Sequence, residues 1–142
     1  MKVLIDANVI ITYISGREDR YSSEAEQIMQ LCAEEKIEGI IAFHTLSVVW
    51  YVSRRLPDED RREWLWLLCT MLTVSSADQN SIKEAIDDTA FADFEDALQD
   101  RCAVEAEADF LVTANIKHFA EMSKTPAVTP EQFLNYYYGI QQ

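Results

Sequence analysis

The first eight residues, M-K-V-L-I-D-A-N, constrain the fold more than any other stretch of the chain. Val3, Leu4 and Ile5 form a short apolar run that stops at Asp6, and residues 9–14 turn apolar again with no room for a long loop. That pattern describes a buried strand, a carboxylate at its C-terminal end and a helix that starts at once. In open parallel sheets, ligand sites form outside the carboxyl ends of the strands. Aspartate is also a favoured helix N-cap, so this segment alone leaves Asp6 readable as a cap or as part of a site.

The rest of the chain repeats the alternation. After the strand at residues 2–5 and a helix over 7–14, a polar loop at 16–21 leads to a helix reaching about residue 36. Ser23 with Glu26 has the spacing of a capping box, and Ala25, Ile28, Met29 and Cys32 recur at helical spacing. Residues 39–43 read as a second strand, and a helix follows from Thr45 to the region before Pro57. Asp58 opens another helix, whose run Trp64-Leu65-Trp66-Leu67-Leu68 reads as largely buried or as an interface. Brief strands are expected at 72–74 and 126–129 and a clear one at 110–113. Further helices are expected over 81–88, 94–108 and from Pro130, with a short helical run to Met122. Thr129, Pro130 and Gln132 supply an N-cap, a proline at the first helical position and a glutamine at the third. Strands alternating with helices imply an α/β fold, a central parallel sheet of four to five strands flanked by helices as a three-layer sandwich. At 142 residues the expectation is one domain over 1–142.

Composition narrows the class. Apolar residues make up 49% of the chain, with only three glycines and three prolines, which argues against disordered segments. No apolar run approaches a membrane span and no signal-peptide pattern opens the chain, so a cytoplasmic protein away from membranes is expected. Cys32, Cys69 and Cys102 are widely spaced in apolar contexts and read as buried reduced thiols. The net charge of −13 argues against a large nucleic-acid footprint. It suits a basic partner, or a divalent cation at a carboxylate cluster.

If the strands at 2–5 and 110–113 are neighbours, Asp6 comes near Asn115. The helix beginning at Asp93 brings its first turn to the same edge. Asp93 and Asp96 are three apart and share a helix face, with Glu95 pointing elsewhere. A pocket lined by Asp6, Asp96, Asp93 and Asn115 is therefore expected. Converging carboxylates raise each other's pKa. Mg²⁺, held by one or two carboxylates with water and substrate phosphate, resolves that repulsion.

The segments L-I-D-A-N-V-I-I, D-F-E-D-A-L-Q-D-R-C-A and A-D-F-L-V-T-A-N-I-K-H-F, in this order, resemble the PIN domain. The closing A-V-T-P-E-Q-F-L is similar to that family's last strand and helix. The resemblance implies a Mg²⁺- or Mn²⁺-dependent endoribonuclease acting on single-stranded RNA, often the toxin of a pair restrained by a protein antitoxin. It places Asp6 and Asp96 at the family's acids, with Asn8 supporting Asp6 and the Thr113 hydroxyl orienting the site. Two positions depart from the pattern: Val48 stands where a glutamate is usual, and Asn115 where the last acid is. A degenerate domain that binds RNA or protein without turnover is the alternative.

Other residues carry weaker expectations. Lys117 follows the site asparagine, within reach of a substrate phosphate, while His118 reads as a solvated turn. Thr45 and Ser47 fall near the expected pocket rim, where Thr45 is a candidate substrate contact or a cap. His44 lacks a second His or Cys for zinc. Arg54 and Arg55 suit a helix C-terminus. Trp50, Trp64, Trp66 and the tyrosines at 136–138 read as core or interface rather than base-stacking groups, and the 64–68 run is the candidate contact for a homodimer or an antitoxin. No glycine-rich loop supports a nucleotide-binding reading.

Overall fold

The computed structural model describes residues 1–16 and 18–142. Arg17, part of the loop expected at 16–21, lies outside the described residues. Five strands, β1 (Lys2–Ile5), β2 (Glu38–Ala42), β3 (Thr73–Ser75), β4 (Phe110–Val112) and β5 (Ala127–Val128), form one parallel sheet in the order β3-β2-β1-β4-β5. The helices are α1 (Ala7–Ser15), α2 (Ser22–Ala33), α3 (Phe43–Val52), α4 (Asp58–Met71), α5 (Gln79–Asp87), α6 (Phe94–Glu105) and α7 (Pro130–Ile140), with a 3-10 turn at Ile116–His118.

β1 lies at the centre because the chain winds outward from it in both directions. Its register pairs Val3 with Gly39 and Leu4 with Ile40 on one side, and Leu4 with Leu111 on the other. The strand's side chains alternate between two cores, as the period of two requires. Val3 and Ile5 join Ile41 and Val112 against Val9, Ile28, Leu68 and Phe133. Leu4 joins Ile40 and Leu111 against Leu98, Cys102 and Phe119. The sheet is buried on both faces, which explains why its central strands are continuous apolar runs rather than alternating ones.

The three-layer architecture and element order match the sequence expectation, and several local details differ. α2 starts at Ser22 with Tyr21 at its cap and no capping side chain. Ser23 therefore lies inside the helix and accepts from Gln27 instead of forming a box with Glu26. The start is set two residues earlier by the buried Tyr21, whose N–H is held by Asp19. Phe43, expected in the second strand, is the first residue of α3, because Ala42 already takes the extended geometry of an N-cap. Of the 64–68 run only Leu68 is fully buried, and Trp66 is 76% exposed. α4 rides on the outside of its layer and turns one stripe inward. Cys32 and Cys102 are buried as expected, but Cys69 is exposed on α4. The capping box at the head of α7 forms as the sequence indicates, with Thr129 and Gln132 bonding each other's backbone.

Gly39 has a spatial rather than a conformational reason. A Cβ there would overlap Cys32 Sγ and the Leu72 side chain, both in the core. Gly39→Ala is expected to lower unfolding stability by about 1–3 kcal/mol, read from a urea midpoint at unchanged slope. A loss under ~0.5 kcal/mol would show that α2 and α4 yield more easily than this packing implies.

Candidate functional site

β1 sends its chain to α1 on one face, while β4, its neighbour, is reached through α6 on the other. The crevice at their carboxyl ends is the switch point where open α/β sheets place their ligand sites. Asp6 opens this crevice. It is both readings at once: its Oδ1 accepts the Ala7 N–H at 2.8 Å as the cap of α1, and its Oδ2 turns to β4.

Asp6 Oδ2 accepts from Asn8 Nδ2 at 2.9 Å and from the Thr113 hydroxyl at 2.8 Å. Asn8 Oδ1 accepts the Ala114 N–H at 3.1 Å, and Thr113 Oγ1 accepts the Asn115 N–H at 3.0 Å. The backbone closes the same seam, with the Asp6 N–H donating to the Val112 carbonyl at 2.9 Å. Asp6 and Thr113 are each almost fully buried. The carboxylate is held rigidly between two strand ends that are 107 residues apart in sequence.

α6 supplies the opposite wall. Asp93 caps it by accepting the Glu95 N–H at 2.8 Å. Asp96, one residue further on, is buried, and its Oδ2 lies 3.1 Å from His118 Nδ1. Glu95 does not point away as its helical position suggested. Its Oε1 lies 3.1 Å from His44 Nε2 and accepts from Gln99 Nε2 at 2.9 Å. Gln99, fully buried, also reaches the Thr45 hydroxyl at 2.7 Å.

These positions set the charges. Burial, joined by the negative charges of Glu95 and Asp96, pushes Asp6 up to about 7, despite the bonds from Thr113 and Ala7. Burial and the charges of Glu95 and Asp93 raise Asp96 to about 6, against the pull of His118. Glu95 differs. Burial works against its charge too, but the bonds from His44 and Gln99 outweigh it and hold the carboxyl below its ordinary value. Two carboxyls with proton affinities near neutrality in one crevice carry repulsion that a cation would relieve.

The expected set is assembled only in part. Asp6, Asn8 and Thr113 form one bonded group, and Asp96 belongs to the same crevice through its charge on Asp6. Asp93 is exposed at the helix cap and reaches Asp96 only electrostatically. Among the described residues, no three His, Cys, Asp or Glu side chains are grouped so as to hold a metal ion. The three-carboxylate set with Asp93 is therefore not formed. The donors that fit a cation are the hard oxygens of Asp6 and Asp96. Two carboxylates, with the remaining positions left to water and substrate, suit Mg²⁺. Asn115 and Lys117 are exposed at the rim, and Val48 is half-buried on α3. Thr45 lies fully buried behind the site rather than at its rim, its hydroxyl taken by Gln99. The His118 ring is mostly exposed but touches Asp96, so it is more than a solvated turn.

The sequence reading missed the Glu95–His44–Gln99 group. Glu95 and Gln99 are four apart on one helix, a visible spacing. His44, 51 residues away, becomes their neighbour only through the pairing of strands.

An α/β domain with carboxylates at the switch point defines the class. A family model described as PIN domain matches residues 2–117, and the chain belongs to that family. No curated protein matches by sequence. Among solved structures, the fold is similar to VapBC2 from Rickettsia felis bound to a DNA fragment from its promoter, at 17% identity and TM-score 0.69, covering 91% of this chain and 98% of that one. DNA-bound VapBC from Salmonella typhimurium is similar at 16% identity and TM-score 0.70, covering 92% and 98%. Mycobacterium tuberculosis VapC20, a sarcin-ricin-loop-cleaving toxin, gives 16% and 0.58 over 77% and 86%. At such identities the likeness is one of fold.

The raised Asp6 makes stability depend on pH with a definite sign. Between roughly pH 4 and 7, unfolded Asp6 is ionised while folded Asp6 keeps its proton. The folded state then binds more protons, so stability falls as pH rises through this window, by roughly 4 kcal/mol for Asp6. Asp96 acts in the same sense up to about 6. Metal-free protein is expected to melt at a lower temperature at pH 7.5 than at pH 5, Asp6→Asn to flatten the profile, and excess Mg²⁺ to restore the loss at pH 7.5. A wild-type profile as flat as that of Asp6→Asn would contradict the site's electrostatics.

Proposed function

We propose that this PIN domain is a Mg²⁺- or Mn²⁺-dependent endoribonuclease that hydrolyses phosphodiester bonds of single-stranded RNA. We place it in the cytoplasm, as a toxin restrained by a protein antitoxin. The observation that carries the reading is the pair Asp6 and Asp96, delivered by separate elements to the β1–β4 crevice with proton affinities pushed up to about 7 and about 6. Family membership over most of the chain supports it. So does the likeness of fold to VapBC complexes and to a toxin that cleaves the sarcin-ricin loop.

Asp6 and Asp96 would hold the cation, which when bound would supply charge stabilisation and an activated water for in-line displacement at phosphorus. Asn8 and Thr113 fix the Asp6 carboxylate in one orientation, so nothing need reorganise when substrate arrives. Asn115 offers a neutral carbonyl oxygen at the rim. Lys117, with His118 beside it, stands exposed where a phosphate would approach. An antitoxin that inserts a basic side chain between the two carboxylates would relieve the same repulsion and block the site.

One observation favours a second reading, an RNA- or protein-binding module without turnover. With Val48 and Asn115 in place of acids, no third carboxylate joins Asp6 and Asp96 in a metal-holding group among the described residues. Incubating single-stranded RNA with Mn²⁺ separates the two. Under the enzyme reading the wild type cleaves, chelator stops it, and Asp6→Asn and Asp96→Asn each lose on the order of 100-fold or more. Absence of cleavage with Mg²⁺ or Mn²⁺, while RNA or partner binding persists, establishes the binding module instead.

The exposed Trp66 and Leu67 on α4 offer a contact for a second copy. Trp66→Glu is then expected to shift light-scattering mass from dimer to monomer without lowering the melting temperature. An unchanged mass would remove α4 as the contact.

A further inference from the structure

We propose that Glu95 is the third carboxylate of this site, a positioning residue whose charge, clamped by His44 and Gln99, makes up for the acids missing at positions 48 and 115. The inference rests on the metal-site reading of Asp6 and Asp96. It adds a residue that the expected pattern leaves out.

The clamp is the evidence. Glu95 Oε1 meets two nitrogen groups, His44 Nε2 at 3.1 Å and Gln99 Nε2 at 2.9 Å. A carboxylate only accepts, so the His44 proton sits on Nε2 and the Gln99 amide turns its NH₂ to Glu95. Both clamping groups are themselves fixed. His44 stands in the first turn of α3, directly after β2, with its ring largely buried. Gln99 is fully buried and tied to Thr45.

The arrangement leaves His44 Nδ1 and Gln99 Oε1 buried without hydrogen-bond partners among the described residues. An unsatisfied buried polar atom is destabilising, and apolar residues of similar shape would avoid that cost. A group built only to close α3 onto α6 has no need of such polar side chains. A group that holds one ionised carboxylate in place does. The charge so held is felt at both other carboxyls, since Glu95 is a source of repulsion for Asp6 and for Asp96. It sits beside Asp96 in sequence and on the same end of α6. It does not join a direct three-ligand group; its part is to deepen the negative potential that attracts a cation held by the other two. Groups that support metal ligands without touching the metal commonly change affinity by 10- to 100-fold.

The test is calorimetric titration of the intact chain with Mn²⁺ alone, alongside thermal melts in chelator. Glu95→Gln is expected to weaken Mn²⁺ binding about tenfold or more while still melting cooperatively close to the wild-type temperature, since the side-chain amide oxygen can still accept from His44 and Gln99. Glu95→Asp, which keeps the charge, is expected to recover part of the affinity. His44→Gln, which can still present a terminal N–H to Glu95, is expected to bind more tightly than His44→Leu. A Glu95→Gln affinity within twofold of wild type, with Asp6→Asn abolishing binding, would overturn the role of Glu95 and leave the two-carboxylate site standing. No Mn²⁺ binding by the wild type would overturn both. Equal losses in His44→Gln and His44→Leu would overturn the clamp.

Discussion

The hydrogen bond from Thr113 to Asp6 is the contact on which the site depends. It joins the first strand to the fourth at the place where the chain's two directions of winding diverge. Each partner is fixed for its own reason. Asp6 caps α1, and Thr113 follows β4 and receives the Asn115 N–H. Their bond therefore transmits the position of a helix on one face of the sheet to the loop that carries the rim residues. A buried carboxylate without such partners would cost far more than a cap could return. With three acceptor bonds it remains costly, which is why its proton affinity stays high.

That residual cost distinguishes the site from the rest of an acidic molecule. Acidic side chains outnumber basic ones by 25 to 12, yet most are exposed and screened by water. The charges in the crevice are not. Asp6 and Asp96 are buried, and burial first, then the charges of their acidic neighbours, Glu95 among them for both, raises each. Asp100, equally buried on α6, makes the contrast. It accepts from the Ser123 hydroxyl and the Lys124 N–H, and so pins the segment after the 3-10 turn. One buried aspartate of α6 ties down a loop; another, a turn earlier, meets His118 but also the charges of Glu95 and Asp93, and stays raised.

The fold was legible because its signals are local. Apolar runs such as 2–5 and 110–113, each ending in a polar residue and a helix start, imply parallel strands without any knowledge of contacts. Helix caps were legible where the box was complete, at Thr129 and Gln132, and misleading at Ser23, where a buried tyrosine decided the start instead. The Trp64–Leu68 run left burial and an interface both open. Continuous hydrophobicity cannot say which side of a helix meets the core, and α4 turned Trp66 outward. At the site, residues that follow a strand directly were found from sequence: Asp6, Asn8 and Thr113. Partnerships between elements were not. His44 and Thr45, in the first turn of α3, meet Glu95 and Gln99 because β2 sets that turn beside α6, and neither spacing nor composition encodes that.

The net charge of −13, which argues against a large nucleic-acid footprint, bears differently on this geometry. A protein that gripped RNA mainly through phosphates would need a broad basic face, because that affinity comes from counterions released by Lys and Arg. Here Lys117, and the His118 ring that meets Asp96, stand exposed at the rim of the crevice. An acidic crevice repels a phosphate until a divalent cation occupies it, and then the sign of the local field is reversed. The surrounding acidity raises the local concentration of cations, while the bonds around Asp6 fix the orientation of its carboxylate. On this reading, metal binding must come first and RNA second. A basic antitoxin side chain and a divalent cation would then compete for one and the same pair of carboxylates.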